Sequence, residues 1–307
     1  MSDGDVETNS NPLGPLITSR LVVVAGKGGV GKTTVTAVLA RAAADAGRRV
    51  LVVELDGKPT LDGWLSDVEV RHISASTSLE EYLLDHGFRR IAKRLTKTGV
   101  IEVIGTAAPG IDDLVVLGKI KQLERSGEWD LIVVDGPAAG HAVTFLTTPA
   151  GLRDAVSSGP VAEQAEDVLA MLADPARCSI VLVTLPESTP VNELLETASA
   201  IRCRVGAGLG PVVVNRLDEG PEPPDPADVD FGRATVQIDD ARAAAAFRRE
   251  RIAVQADELA RVTDEFATVI RLPWRPVADL GPTDIADLAA ALETTPEAPE
   301  SSSESST

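Results

Sequence analysis

The residues with the plainest chemical content lie between positions 26 and 34. Gly26, Lys27, Gly28, Gly29, Val30, Gly31, Lys32 and Thr33 fit the spacing G-x-x-x-x-G-K-[ST], and Thr34 follows directly. The motif comes after the β-branched run LVVVAG and opens TTVTAVLARAAADAG (33–47), a stretch of helical composition that Gly47 is placed to cap. Strand, glycine loop and helix in that order give the spacing its meaning. The glycines let backbone N–H groups turn inward around phosphate oxygens, and the helix N-terminus adds the positive end of its dipole. Lys32 then reaches the β- and γ-phosphates, the Thr33 hydroxyl ligates Mg²⁺ and Thr34 donates to the α-phosphate, so ATP or ADP with Mg²⁺ is the expected ligand.

Phosphoryl chemistry also needs a carboxylate in the outer sphere of the metal and a group that orients water for in-line attack. Asp135 ends the hhhhD segment LIVVD and suits the first role, while Asp56 follows VLVVEL (50–55) and suits the second. Glu54, two residues earlier on the same strand face, is the rival for the water. Strand-terminal Asp is also a common turn residue, so position alone leaves a purely structural reading open.

The elements that must hold these groups are visible as short apolar runs: LVVVAG (21–26), VLVVEL (50–55), VIEVIG (100–105), LIVVDG (131–136), SIVLVTL (179–185), PVVVNR (211–216) and ATVIRL (267–272). They are apolar on both faces instead of alternating, as strands of a parallel sheet covered on both sides are. With helical stretches between most of them, the chain predicts an α/β fold, a doubly wound and mostly parallel sheet with helices on both faces. Ligands of such sheets bind at the carboxyl ends of the strands, which is where the loop, Asp56 and Asp135 fall. One domain is expected over 19–293, with small helical segments at about 76–98 and 150–177 and an acidic, Pro-rich loop at 219–230. The Ser-, Pro- and Glu-biased segments 1–18 and 294–307 read as disordered tails.

Composition narrows the function further. The formal charge is −18, from 47 Asp and Glu against 29 Lys and Arg, which argues against a nucleic-acid partner because phosphate backbones need a basic surface. No apolar run approaches the ~20 residues that span a bilayer. The acidic, polar N-terminus is wrong for a signal peptide, so a cytoplasmic protein is expected. Cys178 and Cys203 form no CxxC pair and read as ordinary thiols of a reducing compartment.

DGPAAGHAVTFLTTP (135–149) resembles the switch II segment D-T-A-P-T-G-H of the ArsA family, which includes arsenite-pump ATPases and ATPases that target tail-anchored membrane proteins. LDGKP (55–59) is similar to that family's switch I, APGIDD (108–113) to its P-G-I-D-E element, and TLPESTPVNELLE (184–196) to its strand-to-helix P-E element. VVVNRL resembles its adenine-contacting strand, which implies a base contact for Asn215 and a second wall at Leu272–Pro273. The resemblance runs from about residue 20 to 292 and implies a P-loop NTPase with a deviant Walker A motif. Lys27, the second lysine in KGGVGKT, is the mark of that class, and the resemblance implies that it crosses a dimer interface to the partner's nucleotide. The implied assembly is a homodimer or a heterodimer with a paralogous ATPase.

Departures from the pattern limit what carries over. Gly136 and Ala138 stand where the family has Thr and Pro, and Gly57–Lys58 replaces Pro-Ala in switch I. Two separate cysteines give arsenite no clustered thiolates and zinc no CxxC site. With only Met1 and Met171, a Met-rich cargo groove has no material. FRRIAKRLTK (88–97) sets Arg89, Arg90, Lys93, Arg94 and Lys97 beside an apolar stripe. That face is either a solvated surface or a docking site for an acidic partner or a membrane surface. His141 matches the switch II histidine and is either a relay of nucleotide state or a packing residue. The readings that compete with a dimeric ATP-driven switch are a ParA/MinD-type positioning ATPase and a weakly hydrolysing nucleotide-binding scaffold paired with an active paralogue.

Overall fold

The computed structural model describes residues 19–55, 60–85, 110–156, 158–231 and 237–293. Seven strands form one sheet: β1 (Leu21–Gly26), β2 (Val50–Glu54), β3 (Glu69–His72), β4 (Leu131–Ala138), β5 (Cys178–Thr184), β6 (Leu209–Leu217) and β7 (Val269–Pro273). Their order is β3-β2-β4-β1-β5-β6-β7, and every neighbouring pair is parallel. The chain leaves β1, passes over β4 to form β2, and later returns to β5 on the other side of β1. The winding therefore reverses at the central strand, and a crevice opens at its carboxyl end.

The strands are apolar on both faces because each face has its own core. Leu21, Val23, Leu51, Val53, Ile132, Val134, Ile180 and Leu182 point to one side. There they meet the helices α4 (Ile111–Ser126), α5 (Ala139–Ala155), α6 (Pro160–Ala173) and α7 (Ser188–Ala200). Val22, Val24, Val50, Val52, Leu131, Val133, Val181 and Val183 point to the other, against α1 (Lys32–Asp45), α2 (Thr60–Trp64) and α9 (Pro282–Glu293). Val, Leu, Ile and Ala fill both layers, each buried Val, Leu or Ile side chain contributing about 1.5–3 kcal/mol. The doubly wound parallel α/β architecture is thus the one the sequence implies.

Helix α1 carries the loop. Its Ala-rich inner face lets it lie close on the sheet, and it ends where Gly47 turns left-handed (φ 78) with its N–H donating to Ala44 O at 2.9 Å. Three elements differ from the sequence expectation. β4 runs on to Ala138, so Asp135 lies within the strand, level with Val24 of β1. The edge strand β3, EVRH, has no apolar run because it is half-exposed. The 28-residue helix α8 (Ile238–Glu265) is exposed over most of its length, so apolar periodicity does not announce it. The expected helical segment at 76–98 begins as α3 (Ala75–Asp85), and the one at 150–177 divides into the end of α5 and α6. The run 100–105, the basic stretch 88–97, Asp56 with Gly57 and Lys58, and both tails lie outside the described residues.

Candidate functional site

The loop 26–33 leaves β1 through a tight gap. A Cβ at Gly26 would stand 2.4 Å from Val183 O of β5, so β1 and β5 approach too closely at this point for any side chain. Gly29 (φ 86) and Gly31 (φ 90) then take left-handed backbone that favours glycine. Between them the Val30 side chain drops into the core shared with α1 and holds the arc down. Gly31 caps α1 without a side chain and no acid occupies the first turn, so no side chain there offsets the positive end of the helix dipole toward a ligand anion.

The side chains that follow converge on Asp135, which is buried. Thr33 Oγ1 donates to Asp135 Oδ2 at 2.8 Å, and Thr36 Oγ1 donates to Oδ1 at 3.2 Å. Both threonines lie on the face of α1 that meets β4, three residues apart, which is one turn. Thr36 was not singled out from sequence, although its i+3 spacing from Thr33 is the available signal. A hydroxyl and a carboxylate are hard oxygen donors of the kind Mg²⁺ takes. Mg²⁺ commonly takes one or two such protein donors and fills the rest of its shell with phosphate and water oxygens. The residues therefore fit a Mg-nucleotide. On the next strand Glu54 sits level with Asp135, is itself buried, and has His72 Nδ1 at 2.9 Å from Oε2; His72 Nε2 lies 3.1 Å from Asp62.

The two lysines diverge. Lys32 Nζ donates to Lys27 O at 3.3 Å, keeping its charge over the loop. Lys27 turns outward, and its Nζ pairs with Glu193 Oε1 of α7 at 2.6 Å, both side chains being partly exposed. No motif in the sequence points to Glu193.

At the far end of α1's first turn, Thr34, Asn215, Arg216, Pro273, Trp274 and Trp64 line a cavity of about 410 Å³, so the structure brings Asn215 and Pro273 together beside the loop. Trp64 Nε1 donates to Leu280 O at 2.9 Å and closes its rim, while the Arg251 guanidinium lies over the Trp274 ring, 5.4 Å from its centre. Within β4, a Cβ at Gly136 would stand 2.4 Å from Val24 O, which explains a glycine at this position. Exposed His141 lines a separate cavity of about 530 Å³ with Asp112, Asp113 and Phe145. Burial pushes the Asp113 carboxyl above its ordinary range, against the lowering effect of the hydrogen bond from Thr148 Oγ1 at 2.9 Å.

A parallel sheet whose central strand feeds a glycine loop and a helix N-terminus, with Thr33 on a strand-borne aspartate, defines the class of P-loop NTPases. Known proteins agree with this class. The family model described as anion-transporting ATPase matches residues 19–159. The chain is 32% identical over 222 residues to the ATPase BagA of Mycobacterium tuberculosis, covering 64% of this chain and 65% of BagA. It is 31% identical over 180 residues to an arsenical pump-driving ATPase of Escherichia coli, covering 56% of this chain and 30% of that protein. The chain is similar to these anion-transporting, ArsA-type ATPases. It spans less than two thirds of the length of either relative. Among the described residues no helix is long and apolar enough to cross a membrane.

Proposed function

We propose that the chain is a Mg²⁺-dependent ATPase that works as a dimeric, nucleotide-driven conformational switch. The observation that carries this reading is the Thr33–Asp135 pair, 2.8 Å apart at the head of α1, where a loop with Gly29 and Gly31 in left-handed backbone feeds the helix N-terminus. In this reading Lys32 holds the β- and γ-phosphates and Thr33 ligates Mg²⁺. Asp135 accepts from a metal-bound water, and Asp56, two residues beyond the end of β2, orients the attacking water. Calorimetry and phosphate release separate the roles: Asp56→Asn keeps MgATP binding and loses turnover, and an Asp56→Asn protein with normal turnover removes Asp56 from the mechanism in favour of Glu54.

The dimer enters through Lys27. One chain has one phosphate loop, and a two-fold partner would present the same surface opposite it. Lys27 would leave Glu193 to reach the partner's nucleotide, neutralising charge in the transition state as an arginine finger does, an effect on the order of 10³–10⁵ in rate where such a group is required. A half-exposed ion pair stabilises by at most about 1 kcal/mol, so Glu193 opposes that movement only weakly. Mixing Lys27→Ala with Asp56→Asn protein tests the arrangement. With random subunit exchange, half the dimers are mixed and each has one complete site, so about a quarter of wild-type activity returns. Exchange confirmed without any recovery would place Lys27 in its own site.

A further inference from the structure

The ArsA-like resemblance implies that Asn215 reads the nucleobase, yet its amide faces the phosphate loop. Asn215 is 4% exposed at the carboxyl end of β6. Its Nδ2 donates to Val30 O at 2.9 Å, and its Oδ1 accepts from the Arg216 N–H at 2.9 Å. A Cβ at Gly31 would lie 2.3 Å from that same Nδ2, so the loop is packed onto the amide as well as bonded to it. Arg216, the one non-glycine residue with positive φ among those described (φ 60), is held in that conformation by its bond to Oδ1. We propose that Asn215 is a positioning residue for the phosphate loop. With the Val30 side chain fixed in the core below and its carbonyl tied to β6 above, the arc at Val30–Gly31 has one shape, and the amides at the start of α1 are aimed before any phosphate arrives. Recognition of the base is then left to the cavity walls at Pro273 and Trp274. This inference rests on the nucleotide-site reading above and deepens it.

The test measures dissociation constants of Mg²⁺ complexes of ATP, GTP and inorganic tripolyphosphate by calorimetry on the full chain, for wild type, Asn215→Ala and Asn215→Asp. Tripolyphosphate has no base. Loss of the loop tie weakens all three ligands together, by about tenfold, and leaves the ATP:GTP preference as it was. Asn215→Asp keeps the volume and the acceptor for Arg216 but sets a carboxylate against Val30 O, so it gives the same pattern if the alanine variant folds poorly. Hydrogen exchange without ligand supplies an independent arm: the amides of residues 28–33 exchange faster in the variants, while those of β1 and β5 do not. Unchanged tripolyphosphate affinity with a collapsed ATP:GTP preference, or unchanged loop exchange, overturns the positioning role. If wild type binds none of the three ligands, the nucleotide-site reading fails, and the exchange arm still decides what Asn215 does to the loop.

Discussion

The two ends of the site are built in opposite ways. The phosphate end uses eight consecutive residues and the adjacent turn of α1, and its shape comes from backbone: Gly29 and Gly31 at positive φ, Gly26 pressed on Val183, and Thr33 delivered to Asp135. The other end is a cavity walled by side chains from distant segments, Pro273 at the end of β7, Trp274 after it and Trp64 from α2, the last hydrogen-bonded to a carbonyl 216 residues away. A backbone cradle tolerates little substitution where a glycine answers to a conformation or a close approach, as Gly26, Gly29 and Gly31 do. A side-chain wall tolerates many, because any flat apolar surface offers a base a face to lie on. Phosphate binding should therefore be brittle and base selection pliable.

That contrast is broken or sharpened by substitutions ordered by expected effect. Lys32→Ala removes the charge over the β- and γ-phosphates, and calorimetry should find MgATP affinity reduced by about 100-fold or more. Gly31→Ala should come close to it, because a methyl at φ 90 is strained and also meets Asn215. Asp135→Asn removes the carboxylate charge and leaves one amide oxygen to accept where Oδ1 and Oδ2 now accept from Thr36 and Thr33. Affinity for ATP without metal should hold, and the gain on adding Mg²⁺ should fall by about tenfold. At the other end, Trp274→Ala should weaken ATP and GTP by only about five- to tenfold, the low end of the scale of one stacked base, with tripolyphosphate unaffected. If Trp274→Ala proved as damaging as Gly31→Ala, the division between a brittle end and a pliable end would be wrong.

Smaller effects lie off the nucleotide. Burial raises the Asp113 carboxyl, so the folded state holds that proton to higher pH than the unfolded chain does. Its ionised form therefore costs stability above the raised value, and no cost remains below the ordinary carboxylate range. Asp113→Asn should raise the Tm at about pH 7 and leave it unchanged at about pH 3, read by differential scanning calorimetry. A Tm gain of the same size at both values would assign the effect to packing. For the cysteines, burial pushes the Cys178 thiol up to about 12 while Cys203 is exposed. A thiol reagent should modify Cys203 in the native protein and reach Cys178 only on denaturation.

What the sequence disclosed follows the same contrast. The loop, Lys32, Thr33 and Asp135 were legible because phosphate binding demands particular residue types at fixed short spacing, and β-branched runs mark the strands that carry them. The parallel sheet was legible because strands buried on both faces cannot alternate. β3 was not, since an edge strand such as EVRH buries too little to need an apolar run. Glu193 was not, because its pairing with Lys27 depends on how α7 docks against the loop. Asn215 was legible as a position and not as a contact: the strand and its terminal amide could be found, but which way the amide turns is decided by the approach of Gly31.

In the proposed function the loop of 26–33 is the place where Mg-ATP is bound and cleaved. Phosphate release from ATP by the purified full chain, with and without Mg²⁺ and in parallel with Lys32→Ala, tests this most directly. The prediction is steady release that requires Mg²⁺ and disappears in the variant while its Tm stays near wild type. Release that persists in Lys32→Ala, or that is indifferent to Mg²⁺, would contradict it.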